Sequence, residues 1–428
     1  MAASTPANDA LDIAKIRAQF PALASGFIFG DNAGGSQILG DAIDRLRDYL
    51  VNSNCQLGAT YSVSALSTQR VLEGVRDVAA LFNAKGPEEV TLGYTSSLLV
   101  ENLARALEPD VQPGDELVIT GEHEANAGPW KKLAARKGLT LKVWHPVPNN
   151  PENPYSVALR VDDLLPLITP RTRIVAFTAC SNILGSIVPV QDVVAAVRRV
   201  AKERGADRVQ VSVDCVAYAP HRRMDVQAWV VDFCVFSLYK VYGPHAAALY
   251  IRASALPSLS SIAHHFLPTS AVSKLQLGGP GYELNWAATA IAPYLRSLTP
   301  AGTLEAAFDA VAAHEQTLVR PLLGYLRGKA ARGVRIVGEE REGLGRVPTV
   351  SFVVVGEHPV RSKDIVDVFD RKGGIGIRYG HFYAYTLVDS LQPKLDIDDG
   401  VVRISFVHYN TVQEVERVIE VLEEALAT

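Results

Sequence analysis

The stretch that decides how this chain folds is residues 213–244, VDCVAYAPHRRMDVQAWVVDFCVFSLYKVYGP. Residues 209–213, VQVSV, form a Val-rich strand-like run that leads into Asp214. Residues 233–236 form a second run that leads into Ser237-Leu238-Tyr239-Lys240. Short runs rich in Val and Phe, bounded by turn signals, read as strands buried on both faces. In such sheets ligands sit beyond the carboxyl ends of the strands. An Asp follows one strand and a Lys follows the other, just before the Gly243-Pro244 turn.

Outward from this stretch the pattern repeats. Residues 116–120, 139–144, 173–178 and 246–251 read as further strands, and 129–137 and 190–203 as helices between them. Residues 41–50 and 66–82 carry helical spacing before the first of these strands. Alternating strands and helices predict an α/β fold, with a mainly parallel sheet of about seven strands covered by helices on both faces. The pattern changes near residue 296. A long helix is expected over 304–326, strands over 349–355, 375–378 and 401–407, and a helix over 362–370. A last helix opens on the capping box Thr411-Val412-Gln413-Glu414 and shows the stripe Val412, Val415, Val418, Ile419, Leu422, Leu426. The expected organisation is an N-terminal segment (1–26), a large domain (27–295) and a small C-terminal α+β domain (296–428).

Composition narrows the function. The 428 residues are 48% hydrophobic, enough for a large core, and 42 Lys+Arg against 46 Asp+Glu leave a net charge of −4. That balance disfavours a nucleic-acid partner held by a basic surface and a disordered chain. Cys55, Cys180, Cys215 and Cys234 form no C-x-x-C pair, so neither a zinc ribbon nor a dithiol motif is expected, and no metal. The first residues show no basic patch followed by an apolar run, and no apolar run reaches the ~18 residues of a membrane span. No G-x-G-x-x-G follows a strand, which disfavours a dinucleotide enzyme. The expectation is a soluble cytoplasmic enzyme acting on a small molecule, without a membrane partner.

Lys240 suits Schiff-base chemistry, which needs an amine whose ammonium form is disfavoured. Asp214 suits a protonated pyridine nitrogen, whose charge makes the ring an electron sink for a carbanion. Taken singly, Lys240 reads as a solvated lysine and Asp214 as a turn-former. The rest of the chain decides between these readings. FGDNAGGSQ (29–37), GEHEANAGPW (121–130), CSNILGSIVPV (180–190), VDCVAYAPH, FSLYKVYGP, RYGHFYAY (378–385) and VRISFVHYNT (402–411) occur in order. Together they resemble the fold-type I pyridoxal-phosphate enzymes, within them the class V aminotransferase or cysteine desulfurase group, over about residues 27–422.

The resemblance implies pyridoxal 5'-phosphate as cofactor and assigns roles. Lys240 would form the internal aldimine and shuttle the α-proton. Asp214 would pair with the pyridine nitrogen, His123 would stack on the ring, and Asn182 would lie near the ring oxygen or the substrate carboxylate. Thr95, Ser96 and Ser97, at a strand-to-helix junction, would hold the phosphate with Ser237, and the Tyr239 hydroxyl could reach it. Arg403 would grip the α-carboxylate through its planar fork, although its alternation with Ile404 and Phe406 leaves a buried structural ion pair as the rival. It also implies a homodimer with the active site at the interface, where His264, His265 and Gly278–Gly279 could reach the partner's site.

Three positions depart from the family. Persulfide-forming desulfurases carry a cysteine in the loop after R-x-G-H; here that position is Tyr383, which cannot accept sulfane sulfur. The usual Gln three residues after the Asp is Ala217, and the usual His before the lysine is Tyr239. These departures, with AHHF (263–266) and NCQLGATY (54–61), resemble the desulfurase-like enzymes of fungal natural-product pathways, such as the loline-pathway Mannich cyclase and the decarboxylating aldolase of ustiloxin biosynthesis. The implied function is elimination or decarboxylation of an amino acid through aldimine and quinonoid or enamine intermediates, coupled to carbon–carbon bond formation. The alternatives are a C–S or C–Se lyase without a persulfide cysteine, and a cofactor-binding protein without turnover. Tyr383 joins Arg403 and Asn182 as a candidate substrate contact.

Overall fold

In the computed structural model, residues 11–268, 272–279 and 281–427 are described. The larger sheet has seven strands: β1 (Val90–Gly93), β2 (Glu116–Thr120), β3 (Thr140–Trp144), β4 (Thr172–Thr178), β5 (Gln210–Asp214), β6 (Phe233–Ser237) and β7 (Ala247–Ile251). Their spatial order is β1-β7-β6-β5-β4-β2-β3. β3, β2, β4, β5 and β6 run parallel, while β7 runs against both its neighbours, so the sheet is mixed.

Alternation along each strand explains the two layers of helices. Val118, Val175, Val211, Val213 and Phe236 face α2 (Ser62–Phe82) and α5 (Val190–Arg204), where Val78, Phe82, Val193 and Val197 are buried. Leu117, Ile119, Ile174, Val235 and Leu249 face α3 (Ser96–Leu107) and α4 (Glu124–Lys137), against Leu99, Leu103, Trp130 and Leu133. Each such side chain contributes roughly 1.5–3 kcal/mol on burial. α1 (Gly40–Asn52) precedes α2.

A second, antiparallel sheet has the order β8 (Val334–Val337), β9 (Thr349–Val354), β11 (Val401–Ser405), β10 (Arg378–Gly380). α6 (Leu304–Gly328), α7 (Ser362–Lys372) and α8 (Val412–Ala427) bury Leu322, Phe369 and Leu422 in its core. Thr411 Oγ1 accepts from the Glu414 N–H and the Glu414 carboxylate from the Thr411 N–H, the reciprocal cap expected from the sequence.

Two expectations need correction. The helix expected over 129–137 begins at Glu124, with Pro129 inside it, because His123 caps the earlier start. The strand expected over 375–378 is two short pieces: Ile375–Gly376 pairs in parallel with Ile28–Phe29, and only Arg378–Gly380 joins β11.

Residues 31–37 thread between the two sheets. Asn32 Nδ2 donates to the Ser405 carbonyl at 3.0 Å, and the Ala33 N–H donates to Ser405 Oγ at 2.8 Å. On the other side, Ser36 Oγ donates to the Tyr239 carbonyl at 3.1 Å. The turn after β4 packs on β9 at Gly185, whose φ is +67°; a Cβ there would meet the Thr349 carbonyl oxygen at 2.2 Å.

Candidate active site

The strand ends converge. Asp214 closes β5 and Ser237 closes β6, and a short turn, Leu238–Lys240, carries Tyr239 and Lys240. Asn182 lies in the turn after β4, His123 after β2, and Thr95 between β1 and α3. From the second sheet, β10 and β11 bring Arg378 and Arg403, and the loop after β10 brings Phe382 and Tyr383. The eleven candidate residues, Thr95, Ser96, Ser97, His123, Asn182, Asp214, Ser237, Tyr239, Lys240, Tyr383 and Arg403, all line one cavity of about 840 Å³.

Burial sets its electrostatics. Lys240 is 5% exposed, and burial, then the nearby Arg403 cation, lowers its pKa to about 8, against the opposing pull of Asp214 and Asp31. An amine so placed has an accessible neutral form, which is the nucleophile for an aldehyde. Burial raises the Asp214 carboxyl to about 6, moderated by the Val216 N–H, 2.8 Å from Oδ1, and by Lys240. A cation brought against Asp214 would favour its charged form.

His123 is held neutral, its pKa lowered to about 4 by burial and then by Lys240 and Arg403. Its Nδ1 accepts from the Ala125 N–H at 3.1 Å, so the proton of the neutral ring sits on Nε2. The same bond caps α4 and fixes the ring as a flat wall of the cavity. On its outer side the Tyr383 ring lies 5.6 Å away, tilted by 36°.

The opposite end suits a phosphate. Thr95 Oγ1 caps α3 by accepting from the Leu98 N–H at 3.1 Å, leaving the first-turn N–H groups of Ser96 and Ser97 toward the cavity. Tyr239 stacks on His245 at 5.1 Å. The buried polar atoms of cavity-lining residues that lack a hydrogen-bond partner within the described residues include Ser237 Oγ, Asn182 Oδ1 and Arg403 Nε. Unsatisfied buried groups are rare in native proteins. Their placement around Lys240 and Asp214 fits a phosphorylated pyridine aldehyde with a carboxylate-bearing substrate.

Arg403 does both things the sequence allows. It is an ion-paired core residue, 1% exposed, with Asp31 Oδ1 at 2.7 Å and the Asn182 carbonyl at 3.2 Å. It also lines the cavity, its guanidinium 3.8 Å from the centre of the Phe382 ring. Ala217 lines the cavity and offers no side-chain donor to a ring oxygen.

Asp31, Glu122, Phe382 and Arg378 were not singled out by sequence reasoning. All four stand inside the motifs FGDNAGGSQ, GEHEANAGPW and RYGHFYAY, where a charged residue within the motif was the available signal for Asp31, Glu122 and Arg378. Glu122 is buried beside Ser181, and burial raises its carboxyl to about 7. Phe382 carried no signal, since its role as a platform for two guanidinium groups comes from tertiary packing.

No thiol stands on the loop after β10. Cys180 is buried in the cavity wall, and burial pushes its thiol far up. Cys215 and Cys234 are buried together, Sγ to Sγ 3.4 Å.

The chain belongs to the class-V aminotransferase family, whose model (Aminotransferase class-V) matches residues 28–418. It is 41% identical over 427 residues to the aminotransferase-like protein FGM3 of Gibberella zeae, across 98% of this chain and 100% of that one. It is 35% identical over 422 residues to the nonribosomal peptide synthetase-like enzyme fsqF of Aspergillus fumigatus, across 96% of this chain but 26% of that longer protein. The fold superposes on the cysteine desulfurase CsdA of Escherichia coli with a TM-score of 0.80 and 25% identity, covering 97% of this chain and 98% of that one. The chain is thus a pyridoxal-phosphate-dependent enzyme of the class-V aminotransferase and cysteine desulfurase-like group, with fungal relatives. Among the described residues no helix is long and apolar enough to cross a membrane.

Proposed function

We propose that this enzyme acts on an amino acid, removes a side-chain substituent or a carboxylate, and joins the resulting carbon nucleophile to an electrophile in a new carbon–carbon bond. The observation that carries this reading is Tyr383, which stands 69% exposed at the cavity rim where a sulfur acceptor would be needed. A phenol cannot take up sulfane sulfur, but it can orient a carbonyl partner by hydrogen bonding. The similarity to fsqF, by name a peptide synthetase-like enzyme, supports a place in natural-product chemistry.

Pyridoxal phosphate, when bound, supplies an electron sink that stabilises negative charge at the substrate α-carbon. The chain's own residues do the rest. Lys240 Nζ is the group placed to condense with an aldehyde and to take or return the α-proton. Asp214 sits where it can keep a ring nitrogen protonated, in a buried site where that pairing is strong. His123 presents a neutral face and adds no competing charge. Arg403 orients the α-carboxylate, with its fork fixed by Asp31. Ser237, Tyr239 and the start of α3 anchor the phosphate, with Thr95 capping that helix and Ser96 and Ser97 supplying main-chain donors. Asn182 bridges the cavity and the loop after β10, its Nδ2 donating to the Phe382 carbonyl at 3.0 Å.

We further infer a cytoplasmic homodimer. The exposed apolar side chains of Val63, Leu66 and Leu72 on α2, with Leu98 at the cavity mouth, support a surface covered by a second copy. The test of the reaction is incubation of the loaded enzyme with a panel of amino acids and aldehydes, followed by mass spectrometry. A product whose mass joins the amino-acid skeleton to the aldehyde supports the reading. Pyruvate with released sulfide or selenide from cysteine or selenocysteine derivatives, and no joined product, would identify a lyase instead.

A further inference from the structure

Arg378 and Arg403 are directly opposite each other across the antiparallel pair of β10 and β11. Like charges in that relation are destabilising, so the arrangement needs an anion. Among the described residues, one carboxylate, that of Asp31, pairs with the two cations. Asp31 Oδ1 lies 2.7 Å from Arg403, while Asp31 Oδ2 lies only within 3.5 Å of Arg378. Asp31 is itself pinned to β11 by a bridge to Ser405. Both guanidinium groups lie by the Phe382 ring, Arg403 at 3.8 Å and Arg378 at 5.4 Å from its centre.

The close pair of Asp31 with Arg403 carries no net charge. Arg378 is the excess cation of the cluster, its side chain 58% exposed at the rim. Of the other charged groups at the cavity mouth, Glu124 pairs with Lys131 at 3.0 Å, Lys132 lies 3.6 Å from Glu101 on α3, away from the second sheet, and burial keeps His123 neutral. We infer that the net charge drawing the substrate carboxylate into the cavity resides on Arg378, and that Asp31 is a positioning residue that fixes the Arg403 fork while cancelling its charge. The inference rests on the proposed reading that the α-carboxylate binds beside Arg403, and adds to it a specificity role for Arg378 and the cancelling of the Arg403 charge by Asp31.

The test uses the pyridoxal-phosphate-loaded enzyme and two probes, L-alanine and L-alaninamide, with the change in visible absorbance as the measure of binding. Neither probe needs to react further, so failure of carbon–carbon bond formation leaves the test intact. Arg378→Gln is expected to weaken L-alanine roughly tenfold, the scale of one lost charge-assisted contact, and to leave L-alaninamide unchanged. Arg378→Lys, which keeps the charge but not the fork, is expected to stay within about threefold of the parent for L-alanine. Adding Asp31→Asn to Arg378→Gln restores the cluster's single positive charge, and is expected to recover L-alanine affinity. Equal weakening of both probes by Arg378→Gln, or unchanged affinity for both, overturns the inference. So does an Arg378→Lys protein as weak as Arg378→Gln, a comparison that leaves Asp31 untouched.

Discussion

Lys240 Nζ donates to the main-chain carbonyl of Ala33 at 2.6 Å, which ties the reactive amine of the larger sheet to the segment that also carries Asp31. Arg403, on the second sheet, is held by that same Asp31. The amine and the proposed carboxylate grip are therefore both tied to one short stretch, residues 31–33.

Lys240→Ala is expected to abolish turnover with every amino acid. The cofactor should be lost on gel filtration or retained only with a bound amino acid, as read by visible absorbance and mass spectrometry. Because the Lys240 pKa is lowered to about 8 by burial and Arg403, the neutral amine grows through that pH. Cofactor loading of the parent protein should accordingly speed up between pH 7 and pH 9. Full activity in Lys240→Ala would remove this lysine from the chemistry.

Arg403→Ala is expected to raise KM for amino acids by roughly two orders of magnitude, with a smaller change in kcat. A charge-assisted contact is worth ~2–4 kcal/mol, and the truncation also leaves Asp31 facing the cavity without its close partner. Steady-state kinetics on any accepted amino acid measures the split. An unchanged KM would leave Arg403 as a structural ion pair alone.

The larger sheet was legible because its central strands are short runs rich in Val and Phe that lead into Asp214 and into Ser237 to Lys240, and burial on both faces favours that composition. The start of α4 was misplaced because its cap is a histidine, outside the usual Ser, Thr, Asp and Asn signals, and because Pro129 suggested a later first turn. The 375–378 run read as one strand because periodicity cannot show which partner each half takes; Ile375 pairs with Ile28, while Arg378 pairs with Arg403. Motif order predicted that the eleven site residues would meet. It could not show that Asp31 sits between two arginines, since that contact joins positions about 370 apart.

Tyr383→Phe is expected to leave the fold intact and to change the rate or the product partition. Phe382 and Tyr383 follow each other at φ +48° and +61°, a left-handed pair that costs ~1–2 kcal/mol per residue. The Asn182 bond to the Phe382 carbonyl and the Glu124 N–H, 2.8 Å from the Tyr383 carbonyl, hold the loop there. Strain maintained in this way is found where a side chain must be aimed. Removing the hydroxyl alone spares these contacts, so the thermal midpoint should stay within about 2 °C of the parent. Product analysis with an amino acid and an aldehyde makes the measurement. An unaltered rate and product ratio would leave Tyr383 as a wall of the cavity only.

Glu122→Gln tests the buried acid behind His123. Burial raises this carboxyl from 4.5 to about 7, and the negative charge of Asp214 adds to the shift, against a Ser181 hydrogen bond that lowers it. Below pH 4.5 the carboxyl is protonated in both folded and unfolded chains, so it imposes no penalty. Between pH 4.5 and pH 7 the unfolded chain ionises and the folded one does not, so the folded state loses stability as pH rises; above pH 7 the loss is constant. Glutamine removes this titration, although its amide places an unsatisfied donor where Glu122 Oε2 lies without a partner, a cost that does not vary with pH. The stability of Glu122→Gln relative to the parent should therefore improve by roughly 2–3 kcal/mol from pH 5 to pH 8, read from urea unfolding of the cofactor-free proteins. Parallel pH profiles for the two proteins would show that Glu122 ionises in the folded state as freely as in water, and its desolvated position behind the ring wall would have no hold on the charge of the site.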